Sequence, residues 1–252
     1  MIQIHDPEEI ARIRESARIV AQCLFTLSRE IRPGISTLEL DRLAETFIRD
    51  SGGEPAFKGY RGFPASICAS INEEVVHGIP SASRRLREGD VLSLDIGVKK
   101  DGFFGDAART FPVGNVSAKA VKLLEATQQG LHAGIEQARP GNRVSDISSA
   151  IEREVSRHGF RVVRALVGHG IGRELHEEPQ VPNYGRAGEG PKLKEGMVLA
   201  IEPMVNAGTG EVLTLSDQWT VVTADRNLSA HFEHTVAIGA QGPEILSRVE
   251  AD

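Results

Sequence analysis

"EGDVLSLDIGVKKDGFFGDAART", residues 88–110, sets two apolar strand-like runs on either side of Lys99-Lys100-Asp101-Gly102. Asp-Gly tolerates the positive φ of a tight two-residue turn, so the segment reads as a β-hairpin. An even loop centred on Asp101-Gly102 pairs residues whose numbers add to 203, so Asp95 faces Ala108 and Asp106 faces Gly97. The two acids then become diagonal neighbours on one face, with Cβ atoms roughly 7 Å apart. Small Gly97 and Ala108 are expected to leave room for something held between the carboxylates, whereas an odd loop would separate them.

The first strand has an echo. "EGMVLAIEP", residues 195–203, repeats "EGDVLSLDI" at an offset of 107, which also relates Arg32 to Arg139, Gly52 to Gly159 and Asp95 to Glu202. The elements between keep the same order. "DPEEIARIRESARIVAQCLFTLSREIRPG" (6–34) opens with Asp6 as N-cap and Pro7 at the first helical position. Ile10, Ile13, Ala17, Val20, Leu24, Leu27 and Ile31 then recur at helical spacing until Arg32-Pro33-Gly34. "STLELDRLAETFIRDSGG" (36–53) follows with a capping box, Ser36 with Glu39, and apolar Leu40, Leu43, Phe47 and Ile48. Residues 54–100 read as loops and strands. "SAKAVKLLEATQQGLHAGIEQARPG" (117–141) and "VSDISSAIEREVSRHG" (144–159) supply a second helix pair. These repeats predict one α+β domain over 1–252, built from pseudo-symmetric halves of about 1–114 and 115–252 whose equivalent strands meet near the axis. Asp95 and Glu202 would approach each other there. The alternative is that "RPG" and "EGxVL" are common local ways to stop a helix and start a strand.

A chain of 252 residues, 40% hydrophobic and 25% charged, can bury a sizeable core. Its net charge of −6 gives no basic surplus for nucleic acid or an anionic membrane. Cys23 and Cys68 are too few for a disulfide framework or a four-thiolate zinc site and suit a reducing compartment. The N-terminus turns charged within six residues and no run of about 18 apolar residues occurs, so a cytoplasmic protein is expected.

Two carboxylates about 4 Å apart repel by roughly 4 kcal/mol at an effective dielectric near 20, so the hairpin acids need a proton, a cationic side chain or a metal between them. A solvated acid or a salt bridge to Arg109 is the competing reading. "LVGHGIGRELHEEP" (166–179) sets His169 among Gly168, Gly170 and Gly172, glycines that disfavour a helix and let backbone approach a ligand. A phosphate cradle is a weaker alternative, because the Lys-Ser/Thr signature is missing. "MVLAIEPMV" (197–205) is a buried-strand pattern interrupted by Glu202, after which Pro203 ends the ladder. "SAHFEHTVAIG" (229–239) puts Glu233 inside an alternating strand, on the face opposite Phe232, His234 and Val236. Asp95, Asp106, His169, Glu202 and Glu233 together form an oxygen-rich set with one imidazole, suited to Mn, Fe(II), Co or Zn. Four acids exceed what one ion needs. Two divalent ions roughly 3.5–4 Å apart would offset that charge and activate a water, which points to metal-assisted hydrolysis.

At these residues the chain resembles the type I methionine aminopeptidases of the pita-bread fold. The likeness runs through "ASICASINEEVVHGIP", "DIGVKKDGFFGDAART", "GHGIGRELHEEPQV", "EGMVLAIEPMVNAG" and "SAHFEHTVAI". It implies a pita-bread fold, two α/β halves around a central curved antiparallel sheet, with Asp95, Asp106, His169, Glu202 and Glu233 as metal ligands. It also implies that His77 lies beside the scissile amide, that His176 hydrogen-bonds the scissile carbonyl, and that Glu202 is the acid/base. A methionine pocket maps to Tyr60, Phe63, Cys68, His77 and Trp219, where a thioether meets aromatic edges. The implied cofactors are two divalent ions (Co, Mn, Fe(II), Zn or Ni), with a monovalent cation site at Asn72 and Ser229. The implied substrate is the N-terminus of nascent polypeptides with a small second residue, cleaved by a monomer that meets the ribosome. Leu175 departs from the Phe, and His231 from the Gln, that many relatives carry.

Two rivals stand beside this reading. An Xaa-Pro aminopeptidase or prolidase shares the metals and fold but usually carries a further N-terminal domain, whereas this chain reads as starting in the first half. A binding module that has lost its metals is disfavoured, because all five ligand types are present.

Overall fold

The computed structural model describes residues 1–248. The first half runs α1 (Pro7–Ser28), α2 (Thr37–Asp50), β1 (Glu54–Pro55), β2 (Cys68–Ile71), β3 (Glu74–Val76), β4 (Val91–Lys100) and β5 (Phe103–Pro112). The second runs α3 (Ala118–Gln137), α4 (Val144–Arg157), β6 (Arg161–Val162), β7 (Val167–Gly170), β8 (Glu177–Pro182), β9 (Val198–Ile201) and β10 (Met204–Asn206). It continues with β11 (Val212–Thr214), β12 (Val221–Thr223), β13 (Ser229–His231), β14 (His234–Gly239) and β15 (Gly242–Ile245). Every pairing within the sheets is antiparallel.

Local chemistry sets the helix ends. Asp6 accepts from the Glu9 amide at 2.9 Å and caps α1, while Ser36 and Glu39 close the expected box on α2. Ile13, Ala17, Val20, Leu24 and Leu27 are buried along α1. The helix stops at Ser28, five residues before Pro33, so Ile31 packs from the loop rather than from the helical face. Leu43 departs from expectation too. It is 44% exposed, and the buried stripe of α2 is Leu40, Ala44 and Ile48, the true i, i+4, i+8 row.

The hairpin register is the one that the Asp-Gly turn dictates. Asp101 and Gly102 both have positive φ (50° and 84°), Lys100 pairs with Phe103, Asp95 faces Ala108, and Asp106 faces Gly97. The space at Gly97 is not left for a ligand, however. A Cβ there would lie 2.6 Å from the Phe57 ring, so this glycine admits an aromatic side chain to the strand face.

The 107-residue repeat is visible in backbone pairing. Residues 37–50 form α2 and residues 144–157 form α4. Glu54 pairs with Lys99 as Arg161 pairs with Asn206, and the lone bridge Ser36–Arg85 recurs as Arg143–Lys192. Each half has its own apolar core. One gathers α1 and α2 on β4 around Leu40, Ile48, Leu92, Leu94 and Ile96, and the other gathers α3 and α4 on β9 around Leu131, Ile147, Ile151, Leu199 and Ile201.

The halves meet where β5 runs beside β13 and β14. Thr235 Oγ1 donates to the Asp106 carbonyl at 2.7 Å and accepts from the Asp106 amide at 3.0 Å. Thr110 Oγ1 does the same for His231, at 2.9 Å and 2.8 Å. Both threonines are buried, and each stands in for the ladder partner its neighbour lacks. Thr235→Val, which keeps the shape, strands both backbone groups of Asp106. It is expected to cost about 1–3 kcal/mol, read by urea denaturation as a lower midpoint at unchanged slope.

Candidate metal centre

Repetition relates two of the acids, Asp95 and Glu202. Asp95 and Asp106 come from the β4–β5 hairpin, while the second half supplies Glu202 and Glu233 from gaps in its ladders. β9 ends at Ile201 and β10 starts at Met204, so Pro203 breaks the strand where the sequence expects it. Glu233 was expected inside a strand; it lies instead between β13 and β14. Its amide donates to the Ala108 carbonyl across the junction at 2.8 Å, which pulls the residue out of its own ladder and toward the first half.

The alternating glycines carry a correction. Residues 167–170 form β7, ruling out a phosphate cradle, and a Cβ at Gly168 or Gly170 would lie 2.3 Å or 2.4 Å from the carbonyl oxygens of Ala200 and Glu178. They admit neighbouring strands, not a ligand. Between them, His169 donates from Nδ1 to the Gly170 carbonyl at 2.9 Å, which leaves Nε2 as the free lone pair, 3.4 Å from Glu202 Oε1.

Among the described residues, ligand atoms of Asp106, His169 and Glu233 lie within 4.8 Å of one another. Asp95 and Glu202 fall outside that tightest group but line the same pocket. Asp95 Oδ1, Asp106 Oδ1 and Glu233 Oε1 are buried with no hydrogen-bond partner. Burial pushes the Asp95 carboxyl up to about 6, with Glu202 adding to the rise, and burial pushes Glu202 up to about 7. Asp106 and Glu233 are driven well above the carboxylate range by burial and by the other acids. Orphaned oxygens that must otherwise take protons, grouped with one oriented imidazole lone pair, fit divalent cations.

Beside the acids lies a cavity of about 170 Å³ lined by Phe57, Tyr60, Arg61, Phe63, Cys68, His77, Leu175, His176 and Trp219. All of the pocket residues expected from the sequence converge there. The Phe63 and Trp219 rings meet edge-on with centroids 5.1 Å apart, and Tyr60 stacks on His176. His176 Nδ1 lies 2.9 Å from the Tyr60 hydroxyl, and its ring centroid is 4.3 Å from that of His169. Burial holds His77 down to about 4; burial, then His169, Arg61 and His77, hold His176 down to about 3. Both imidazoles are therefore neutral at pH 7. A larger cavity of about 550 Å³ between α1 and α3 touches only Glu233 of this set.

Sequence reasoning missed Phe57 and Arg61 as lining residues and undervalued His231. His231 is 1% exposed, neither ring nitrogen has a hydrogen-bond partner, and Nε2 lies 3.6 Å from Glu202 Oε2. Its signal was positional, two residues before Glu233.

The family model for metallopeptidase family M24 matches residues 11–240. The chain belongs to metallopeptidase family M24. This M24 chain is 55% identical over 249 residues to methionine aminopeptidase 1 of Bacillus subtilis, covering 99% of this chain and 100% of that one. It superposes on a methionine aminopeptidase from Rickettsia prowazekii with a TM-score of 0.97 at 40% identity, covering 98% and 100% of the two chains. The Thermotoga maritima methionine aminopeptidase gives 0.97 at 42% identity, covering 99% and 100%. The M24 chain has the pita-bread fold of these structures, an α+β architecture, and is a metallopeptidase that binds divalent metal.

Raised carboxyls fix the sign of a metal–pH prediction. In the metal-free M24 chain the folded state holds protons that the unfolded chain releases near the ordinary carboxylate values, so stability falls as pH rises from about 4 toward 6–7. Chelated protein is expected to melt at lower temperature at pH 7.5 than at pH 5. Divalent metal restores the loss and releases protons on binding, read by calorimetry in buffers of different ionisation heat.

Proposed function

We propose that this chain is a metalloaminopeptidase that removes methionine from the N-terminus of new polypeptides, preferentially before a small second residue. One observation carries the reading: four carboxylates and an imidazole, drawn from both halves, line one small pocket walled by aromatic side chains. At about 170 Å³ the pocket is smaller than the roughly 300–1,000 Å³ of sites for larger ligands, so it takes one side chain rather than a length of polypeptide. The wall of Phe57, Phe63, Cys68, Leu175 and Trp219 suits an unbranched thioether.

Divalent ions held by Asp95, Asp106, His169, Glu202 and Glu233 would supply a water nucleophile ionised near neutral pH and charge for the developing oxyanion. The chain's own groups do the rest. Glu202, lining the pocket beside His169, is the carboxylate that would take a proton from the attacking water and return it to the leaving amine. Neutral His176 has Nδ1 2.9 Å from the Tyr60 hydroxyl; in the tautomer where that hydroxyl donates to Nδ1, the ring proton is on Nε2 and can be donated to the scissile carbonyl. His77, neutral and 6.2 Å from the Trp219 ring centroid, lies at the pocket edge beside the scissile amide. Asp95 is the acid beside the Cys68 side of the pocket, with which it pairs in register, and is placed to receive the free amine.

The finer assignments belong to the same proposal. Two ions of Co, Mn, Fe(II), Zn or Ni are held. Asn72 and Ser229, whose amide donates to the Asn72 carbonyl at 2.8 Å, are the residues that would hold a monovalent cation. The enzyme acts as a cytoplasmic monomer, meets its substrate at the ribosome, and forms one domain, expected over 1–252, of which 249–252 lie outside the described residues. Among the described residues no helix is long and apolar enough to cross a membrane.

Turnover of Met-Ala-Ser, Ala-Ala-Ser, a Xaa-Pro tripeptide and N-acetylated Met-Ala-Ser, with metal stoichiometry measured alongside, tests the reading. Only the first is expected to be cleaved rapidly, and preferential cleavage of the Xaa-Pro peptide would replace this proposal with the prolidase one. His176→Ala is expected to lower kcat by about 10²–10³-fold while leaving bound metal unchanged.

A further inference from the structure

His5 lies outside the pocket, yet it is 5% exposed and tied to the loop that presents His176. Its amide donates to the Gly196 carbonyl at 2.8 Å. Its ring stands between two carboxylates, with Nδ1 3.1 Å from Glu9 Oε2 on α1 and Nε2 3.5 Å from Glu177 Oε2 at the start of β8. The other oxygen of Glu177 accepts the amides of Arg173 and Glu174 at 2.8 Å and 3.0 Å, and the Arg173 guanidinium pairs with Glu9. Gly172 completes the fit, because a Cβ there would lie 2.3 Å from the His5 ring. This is why the third glycine of "GHGIG" is a glycine. The segment from Gly172 to Glu177 is thereby packed against the imidazole at its first residue and paired with it at its last, and between the two it carries Leu175 and His176 into the pocket.

We propose that His5 is a positioning residue for the peptidase reaction: by bridging Glu9 and Glu177 it holds the 172–177 loop so that Leu175 walls the pocket and His176 faces the scissile carbonyl. The proposal rests on the function proposed above. An imidazole facing two carboxylates donates to both only when doubly protonated, and a neutral ring would leave one of the two facing oxygens, Glu9 Oε2 or Glu177 Oε2, without its donor. Burial works against the charged form but is outweighed by Glu177 and Glu9, and the His5 pKa is raised. The groups facing the ring are Glu9 and Glu177, with Arg173 beyond Glu9. With the folded value above the unfolded one near 6.5, the clamp holds fully below that pH. It is released as pH rises through the higher folded value.

Three variants test this with turnover on Met-Ala-Ser, Mn(II) affinity by calorimetry, and amide exchange at Arg173 and Glu174. His5→Gln, uncharged, is expected to exchange faster at both amides and to lose about 10-fold in kcat with Mn(II) affinity unchanged. His5→Lys carries a cation that does not titrate near neutrality. It is expected to restore both readouts and to lack the alkaline fall in kcat that wild type shows relative to it. Glu177→Gln is expected to reproduce the His5→Gln exchange. Unchanged exchange and kcat in His5→Gln would overturn the proposal, as would a fall in kcat tracked by a fall in Mn(II) affinity. If wild type loaded with metal cleaved no peptide while exchange still responded to His5→Gln, the proposed function would fail and with it the catalytic role of His5, but not the clamp itself.

Discussion

Mutual repulsion among four carboxyl groups gathered around one small pocket sets the terms for the rest of this molecule. Each acid alone could have found a guanidinium, and instead three of them keep an oxygen with no partner at all. Such a cluster stays together only if the backbone beneath it cannot relax. The scaffold supplies that stiffness by carrying Asp95 and Asp106 within the paired β4–β5 hairpin and Glu202 and Glu233 in short gaps between strands, with a separate apolar core behind each half. What looks like a cost to stability in the metal-free chain is the arrangement that makes a divalent cation bind.

The junction between halves is built from the same economy. β5 and the β13–β14 stretch cannot form a continuous ladder, because the second half is interrupted at Phe232 and Glu233. Thr110 and Thr235 take over as reciprocal clasps and fix Asp106 and His231 at corresponding places. Positioning of the candidate metal ligands and cohesion of the halves therefore rest on overlapping residues, and a change at the seam is expected to be felt at the site.

Much of this was legible in the chain. An even loop centred on Asp101-Gly102 gives the register that places Asp95 and Asp106 on a common face, and it is the one adopted. Local signals were equally direct at Asp6, at the Ser36–Glu39 box and at Pro203, where backbone chemistry leaves few options. Glycine was the weak point. Gly97, Gly168 and Gly170 were read as making space for a ligand, whereas their space is filled by Phe57 and by neighbouring strands, partners distant in sequence. The same limit hid Phe57 in the pocket and His5 on the loop. A lone histidine near a terminus has no periodicity to betray it, and its two carboxylates lie four and 172 residues away. Leu43 and Ile31 were misjudged for a smaller reason: spacing names an apolar stripe before the neighbour that selects its centre is known.

Correspondence between the halves is close in backbone and fails in side chains. His169 opposes Ala200 where, in the first half, Ser70 opposes Ser93, so one side of the dyad carries an imidazole and the other a hydroxyl. Glu202 likewise reaches one methylene further than Asp95. A perfectly twofold cleft would accept a chain in either orientation. Here the broken equivalence gives the cleft a polarity, so a bound polypeptide has a single direction in which its leading residue can point toward the aromatic wall.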